Sequence, residues 1–156
     1  MRRIALATLL TAVVFSGVLQ AQRSSGRWTF GIHGGADVSD HETLKLLGGQ
    51  FAFSLPRGFR IQVAASTVIE EAGTQVFGGA SLQWTPGRGA LQPYLGGGLA
   101  LLYAEVGPFS DTDFGLLAQA GIRVRFRNVT PFAEVRLMRF TATATQILAG
   151  FEVRVY

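Results

Sequence analysis

The sequence predicts an all-β protein, a single eight-stranded antiparallel up-and-down β-barrel. Three observations lead there. Apolar and polar residues alternate with period two through most of residues 27–155, as in strands whose two faces meet different surroundings. There are 20 glycines and 12 phenylalanines but a single lysine, Lys45, a composition that suits strands better than solvated helices. The alternating stretches number eight, joined by tight turns and polar loops in turn; such a meander closes on itself or leaves two unpaired edges.

Residues 1–21 stand apart. Arg2 and Arg3 form a basic head, Ile4 to Val18 is almost wholly apolar, and Leu19-Gln20-Ala21 ends in a small residue. This is the three-part pattern of a cleaved secretory signal peptide, with Gln22 as the mature start. The apolar run is shorter than the ~20 residues a spanning helix needs. Removing Arg2 and Arg3 lowers the formal charge from +4 to +2. Residues 22–156 are then one barrel domain. The absence of cysteine excludes disulfides, thiol catalysis and thiolate metal sites.

Strand one runs from Arg27 to Asp37, with Trp28, Phe30 and Ile32 on one face and Thr29, Gly31 and His33 on the other. Strand two ends with Gly49, Phe51, Phe53 and Leu55 opposite Gln50, Ala52 and Ser54, before a Pro56-Arg57-Gly58 turn. Strand three sets Phe59, Ile61, Val63 and Ala65 against Arg60, Gln62, Ala64 and Ser66. After a loop at 70–74, strand four sets Val76, Gly78, Ala80, Leu82 and Trp84 against Phe77, Gly79, Ser81 and Gln83. Strand five, Tyr94 to Ala104, has faces that are hard to tell apart. An acidic loop is expected at Glu105 to Asp113. Strand six then alternates from Leu116 to Phe126, strand seven from Phe132 to Met138, and strand eight from Ile147 to Val155.

Alternation alone does not say which face is outside. The polar face mixes glycine, alanine, serine and glutamine with a few arginines and glutamates, a composition suited to an interior. Trp28, Phe59, Trp84, Tyr94, Phe126, Phe132 and Tyr156 fall near one rim if strand one runs upward, as in an interfacial girdle. Acidic residues (Asp37, Asp40, Glu42, Glu70, Glu71, Glu105, Asp111 and Asp113) gather at the other end, while the lower turns hold Arg57, Arg88 and Arg127. These features predict a transmembrane barrel with its apolar face to lipid, and strands of about 10 residues are long enough when tilted.

Four segments resemble the small outer-membrane β-barrel family that includes OmpA-type, OmpX-type and OmpW-type barrels: PYLGGGLALLY at 93–103, FGLLAQAGIRVRF at 114–126, TPFAEVRL at 130–137 and the final AGFEVRVY. The resemblance implies export to the outer membrane and contact with its lipid and lipopolysaccharide. It further implies handling by periplasmic chaperones and the barrel-assembly machinery, and a monomeric state. Leu148, Gly150, Val153, Val155 and Tyr156 resemble the assembly signal of the last strand, although Tyr156 stands one residue further on than the family's aromatic. No peptidoglycan-binding domain is expected after the barrel.

Arg60, Arg123, Arg125, Glu134, Arg136, Glu152 and Arg154 all fall on the inward face of the lower half. They read as an ion-pair network filling the lumen, or as a weakly anion-selective path. The resemblance also admits lipid A-modifying enzymes, but no nucleophile motif accompanies His33 or His41, so no catalytic site is expected. The acidic loops read as a solvated rim, or as a place for divalent cations that bridge lipopolysaccharide. No cofactor, metal site or nucleic-acid surface is expected. A structural or interaction role is favoured over a narrow solute channel, and both over an enzyme.

Overall fold

The computed structural model describes residues 27–39, 43–68, 74–87, 89–106, 109–126 and 128–155. The expected signal peptide, Asp40, His41, Glu42, Glu70, Glu71, Arg88, Arg127 and Tyr156 lie outside the described residues. Eight strands form one closed barrel, each antiparallel to its sequence neighbours, with the last paired to the first. They are β1 (Arg27–Asp37), β2 (Leu44–Ser54), β3 (Phe59–Val68), β4 (Thr74–Trp84), β5 (Leu91–Val106), β6 (Phe109–Val124), β7 (Val129–Arg139) and β8 (Thr143–Val155). The seam pairs β1 with β8 from Trp28↔Val155 to Asp37↔Gln146. No strand edge along the seam is left to recruit another chain. The lower end is where β1 begins and β8 ends.

Alternation translates directly into inside and outside. On β3, Arg60, Gln62, Ala64, Ser66 and Val68 are buried, while Phe59, Ile61 and Val63 are exposed. On β7, Phe132, Glu134, Arg136 and Met138 are buried between exposed neighbours. The outer wall is apolar around its circumference, carried by residues such as Phe30, Ile32, Leu82, Leu95, Leu99, Leu116, Leu137 and Phe151.

The expected acidic loop at 105–113 is largely strand. Val106 pairs with Phe109, Glu105 with Ser110 and Ala104 with Asp111, so β5 and β6 are each 16 residues long. Ahead of Leu116, β6 pairs with β5 and not with β7. Both faces of that extension can stay wet, so polar residues there do not oppose strand formation. Asp37, Glu105, Asp111 and Asp113 lie at the upper end and Arg57 at the lower, as the charge pattern predicts.

Glycine matters most at Gly98, where a Cβ would sit 2.0 Å from the Ala80 carbonyl oxygen of β4. The strand is therefore free to approach its neighbour where a side chain would hold it off.

Candidate functional site

An eight-stranded barrel encloses only enough space for side chains. Those of the lower half form one connected polar network. Glu152 on β8 accepts both guanidinium nitrogens of Arg60 on β3, each at 2.7 Å, and the Gln50 amide of β2 at 2.6 Å. Arg123 on β6 places its Nε 3.7 Å from the same carboxylate. Arg60 Nη2 also donates to the Thr29 hydroxyl on β1 at 2.8 Å.

From Gln50 the links run around the wall. Gln62 donates to Gln50 at 2.8 Å, Gln83 donates to Gln62, and Arg123 donates to Gln83. The Arg123 guanidinium lies over the Tyr94 ring, 3.6 Å from its centroid, a buried cation–π contact. Tyr94 donates to Glu134 at 2.7 Å, Glu134 pairs with Arg136, and Arg136 returns to Gln50 at 3.2 Å. The path closes on itself, and all eight strands contribute to the network. Buried charges are tolerated only when paired and hydrogen-bonded, and the two carboxylates meet that condition through their arginines.

Higher in the lumen, His33 Nε2 and the Ser66 hydroxyl share a 2.8 Å hydrogen bond, and Gln119 donates to Ser81 at 2.8 Å. Above these polar pairs the inward face turns mostly apolar, with Gln146 and Asp37 its buried polar members. Leu46, Val68, Phe77, Leu117, Met138 and Leu148 pack into one buried cluster, with Leu44, Leu102 and Phe140 against it. The lumen is thus filled by two chemically different layers.

The structure brings Arg60, Arg123, Glu134, Arg136 and Glu152 into one buried network, as the alternation predicts. Arg125 and Arg154 are corrections. They lie at the lower mouth, Arg125 exposed and Arg154 half-buried, because β6 and β8 have reached the rim at those positions. Tyr94 is a second correction. It is 2% exposed and faces the lumen, not the girdle, since it has a polar partner inside and Gly121 opposite leaves room for its ring. Phe132 is likewise buried, its ring edge toward His33 with 6.5 Å between centroids. Phe59, Trp84 and Phe126 are exposed at the lower rim, and Trp28 packs against Phe53 and Phe51 there. Gln50, Gln62 and Gln83 were not singled out from sequence. Their only signal was a place on the inward face of β2, β3 and β4.

Below the network the lumen opens into a vestibule of about 480 Å³, bounded by Arg57, Arg60, Arg123, Arg125, Arg154 and Glu152 together with the lower turns. Among the described residues, no group of three or more His, Asp or Glu side chains is placed to hold a metal ion. His33 has a hydroxyl beside it but no carboxylate contact, so the relay of a serine hydrolase is incomplete at that position.

No protein-family model matches the chain, and no curated protein matches it by sequence. Solved structures do. The N-terminal β-barrel domain of Pseudomonas aeruginosa OprF superposes with a TM-score of 0.72 at 13% identity, covering 84% of this chain and 100% of that one. Neisserial surface protein A gives 0.60 at 16% identity, covering 83% and 97%. The attachment invasion locus protein Ail of Yersinia pestis gives 0.56 at 11% identity, with the same coverage. Closed sheet, strand number and these likenesses agree: the chain has the fold of the small eight-stranded outer-membrane β-barrels.

Proposed function

We propose that this chain is a structural or interaction protein of the outer membrane, monomeric, and sealed to solutes. The observation that carries the reading is the contrast between its two surfaces. The wall is apolar outside, with Leu95, Leu99 and Leu116 each 60% or more exposed, while the lumen holds buried arginines and glutamates. A water-soluble barrel would need the reverse arrangement. In lipid, each backbone group of a closed barrel is satisfied by its neighbours, and the aromatic rim of Trp28, Phe59, Trp84 and Phe126 suits the headgroup level.

The sealed lumen argues against the channel reading. The apolar cluster around Leu46 and Leu148, with Gln146 the buried amide set between Leu148 and Ala144, offers a hydrated ion few polar partners halfway through. Among the described residues, the β5–β6 extension, with Phe114 74% exposed on it, is the part of the upper end best placed to meet a partner. Lipid and lipopolysaccharide are the proposed surroundings. Chaperones and the barrel-assembly machinery are the proposed partners during biogenesis.

Membrane fractionation with electrophoresis of boiled and unboiled samples tests this reading. An outer-membrane band whose mobility shifts on heating is expected. Planar bilayers holding the purified protein are expected to stay silent. A soluble periplasmic protein would overturn the membrane assignment, and discrete conductance steps would overturn the sealed lumen.

A further inference from the structure

We infer that the lower vestibule is a binding site for a phosphate-type oxyanion. Five arginines bound it and a single glutamate opposes them: Arg57, Arg60, Arg123, Arg125 and Arg154 against Glu152. Glu152 is already committed to Arg60 and Arg123. Among the described residues, Arg57, Arg125 and Arg154 have no carboxylate partner.

Two further features mark this as a built site. Arg60 and Arg123 are 7% and 4% exposed, and Glu152, Thr29 and Gln83 hold their guanidinium groups in place. The rim is also conformationally committed. Arg57 is the one non-glycine residue among those described with positive φ, at 62°, in the turn that carries it past the end of β2. Gly58 follows at φ 82°, and a Cβ there would lie 2.5 Å from the Thr85 oxygen. Thr85 N–H donates to the Gly58 carbonyl at 2.9 Å, fastening this turn to the end of β4. A non-glycine residue held in the left-handed region at a cavity mouth is a recurring mark of functional positions.

The chemistry selects the ligand class. Guanidinium forks match phosphate oxygens in pairs, and about 480 Å³ lies within the range of small-molecule sites. The ligand is an anion with several phosphate-type oxygens, either free in solution or carried on a lipid headgroup beside the barrel's lower rim. The site depends on the barrel's own geometry, so it can be tested in detergent, apart from the question of which membrane holds the protein.

The test is calorimetric titration of pyrophosphate into the mature chain folded in dodecyl maltoside. One saturable site is expected. The R125Q/R154Q variant should bind at least about tenfold more weakly, since two charge-assisted contacts are lost. R139Q, at the upper end, should bind like wild type. Folding of each variant is checked by heat-modifiable mobility. Should the double variant fail to fold, R57Q on the exposed turn is expected to weaken binding several-fold. No saturable binding to wild type, or undiminished binding to folded R125Q/R154Q, overturns the proposal. Repeating the titration in nanodiscs of phosphatidylcholine and of phosphatidylglycerol separates the sources. Weaker pyrophosphate binding in phosphatidylglycerol alone identifies a lipid headgroup as competitor; equal binding in both identifies a soluble ligand.

Discussion

Glu152→Ala is the substitution that tests the lumen network most directly. The carboxylate is 2% exposed and takes three hydrogen bonds of 2.6–2.7 Å, from Gln50 and from both terminal nitrogens of Arg60, with Arg123 close behind. Truncation leaves two buried guanidinium groups with their shared counter-charge gone. Breaking a buried pair in this way costs about 3–5 kcal/mol. Glu152→Gln keeps the shape and one acceptor oxygen but replaces charge-assisted bonds with neutral ones, so about 2 kcal/mol is expected. Urea unfolding in lipid vesicles, followed through Trp28 and Trp84 fluorescence, measures both. A double-mutant cycle with Arg60→Gln should return a coupling of about 2 kcal/mol. Glu152→Ala within about 1 kcal/mol of wild type, or a coupling near zero, would show that the network does not hold the barrel together.

Three further outcomes follow from other parts of the structure. Gly98→Ala places a carbon 2.0 Å from the Ala80 carbonyl, so it should cost about 1–3 kcal/mol in the same unfolding assay, while Gly87→Ala, with nothing within 4 Å, should cost only a few tenths. Leu148→Ala opens a cavity in the upper cluster and is expected to lose about 2–5 kcal/mol; a smaller loss would mean the cluster is loosely packed. Leu99→Arg, on the outer wall, should impede vesicle insertion by about 2–4 kcal/mol. A soluble barrel would tolerate that change, so normal insertion would count against the lipid-facing wall.

Much of the fold was legible because barrel strands obey a period that sequence displays directly. Arg60, Gln62, Ala64 and Ser66 alternate with Phe59, Ile61, Val63 and Ala65, and the structure keeps every one on its expected face. Tyr94 was harder. On β5, glycine, alanine and leucine occupy both faces, so alternation carries little information and depth along the chain was the only guide. What decides its direction is Gly121 on the neighbouring strand, a pairing visible only once register is known. The apolar layer was hidden for a related reason. Leu46, Val68, Met138 and Leu148 come from four different strands, and only cross-strand register gathers them into one cluster. Arg125 and Arg154 show the limit of facing arguments, because at a rim the inward direction no longer means burial.

The network's connectivity also bears on how the chain reaches its native state. Gln50 and Arg60 meet Glu152 across 102 and 92 residues of sequence, so these bonds form only after the last strand has docked against the first. Contacts this distant are slow to form. A slip of two residues at the β1–β8 seam would preserve inside and outside yet move Glu152 by about 7 Å from its place beside Gly31. Two arginines would then be stranded without a counter-charge. The same carboxylate that ties the finished lumen together is thus satisfied in the native closure and not in a slipped one that hydrophobic patterning alone would accept.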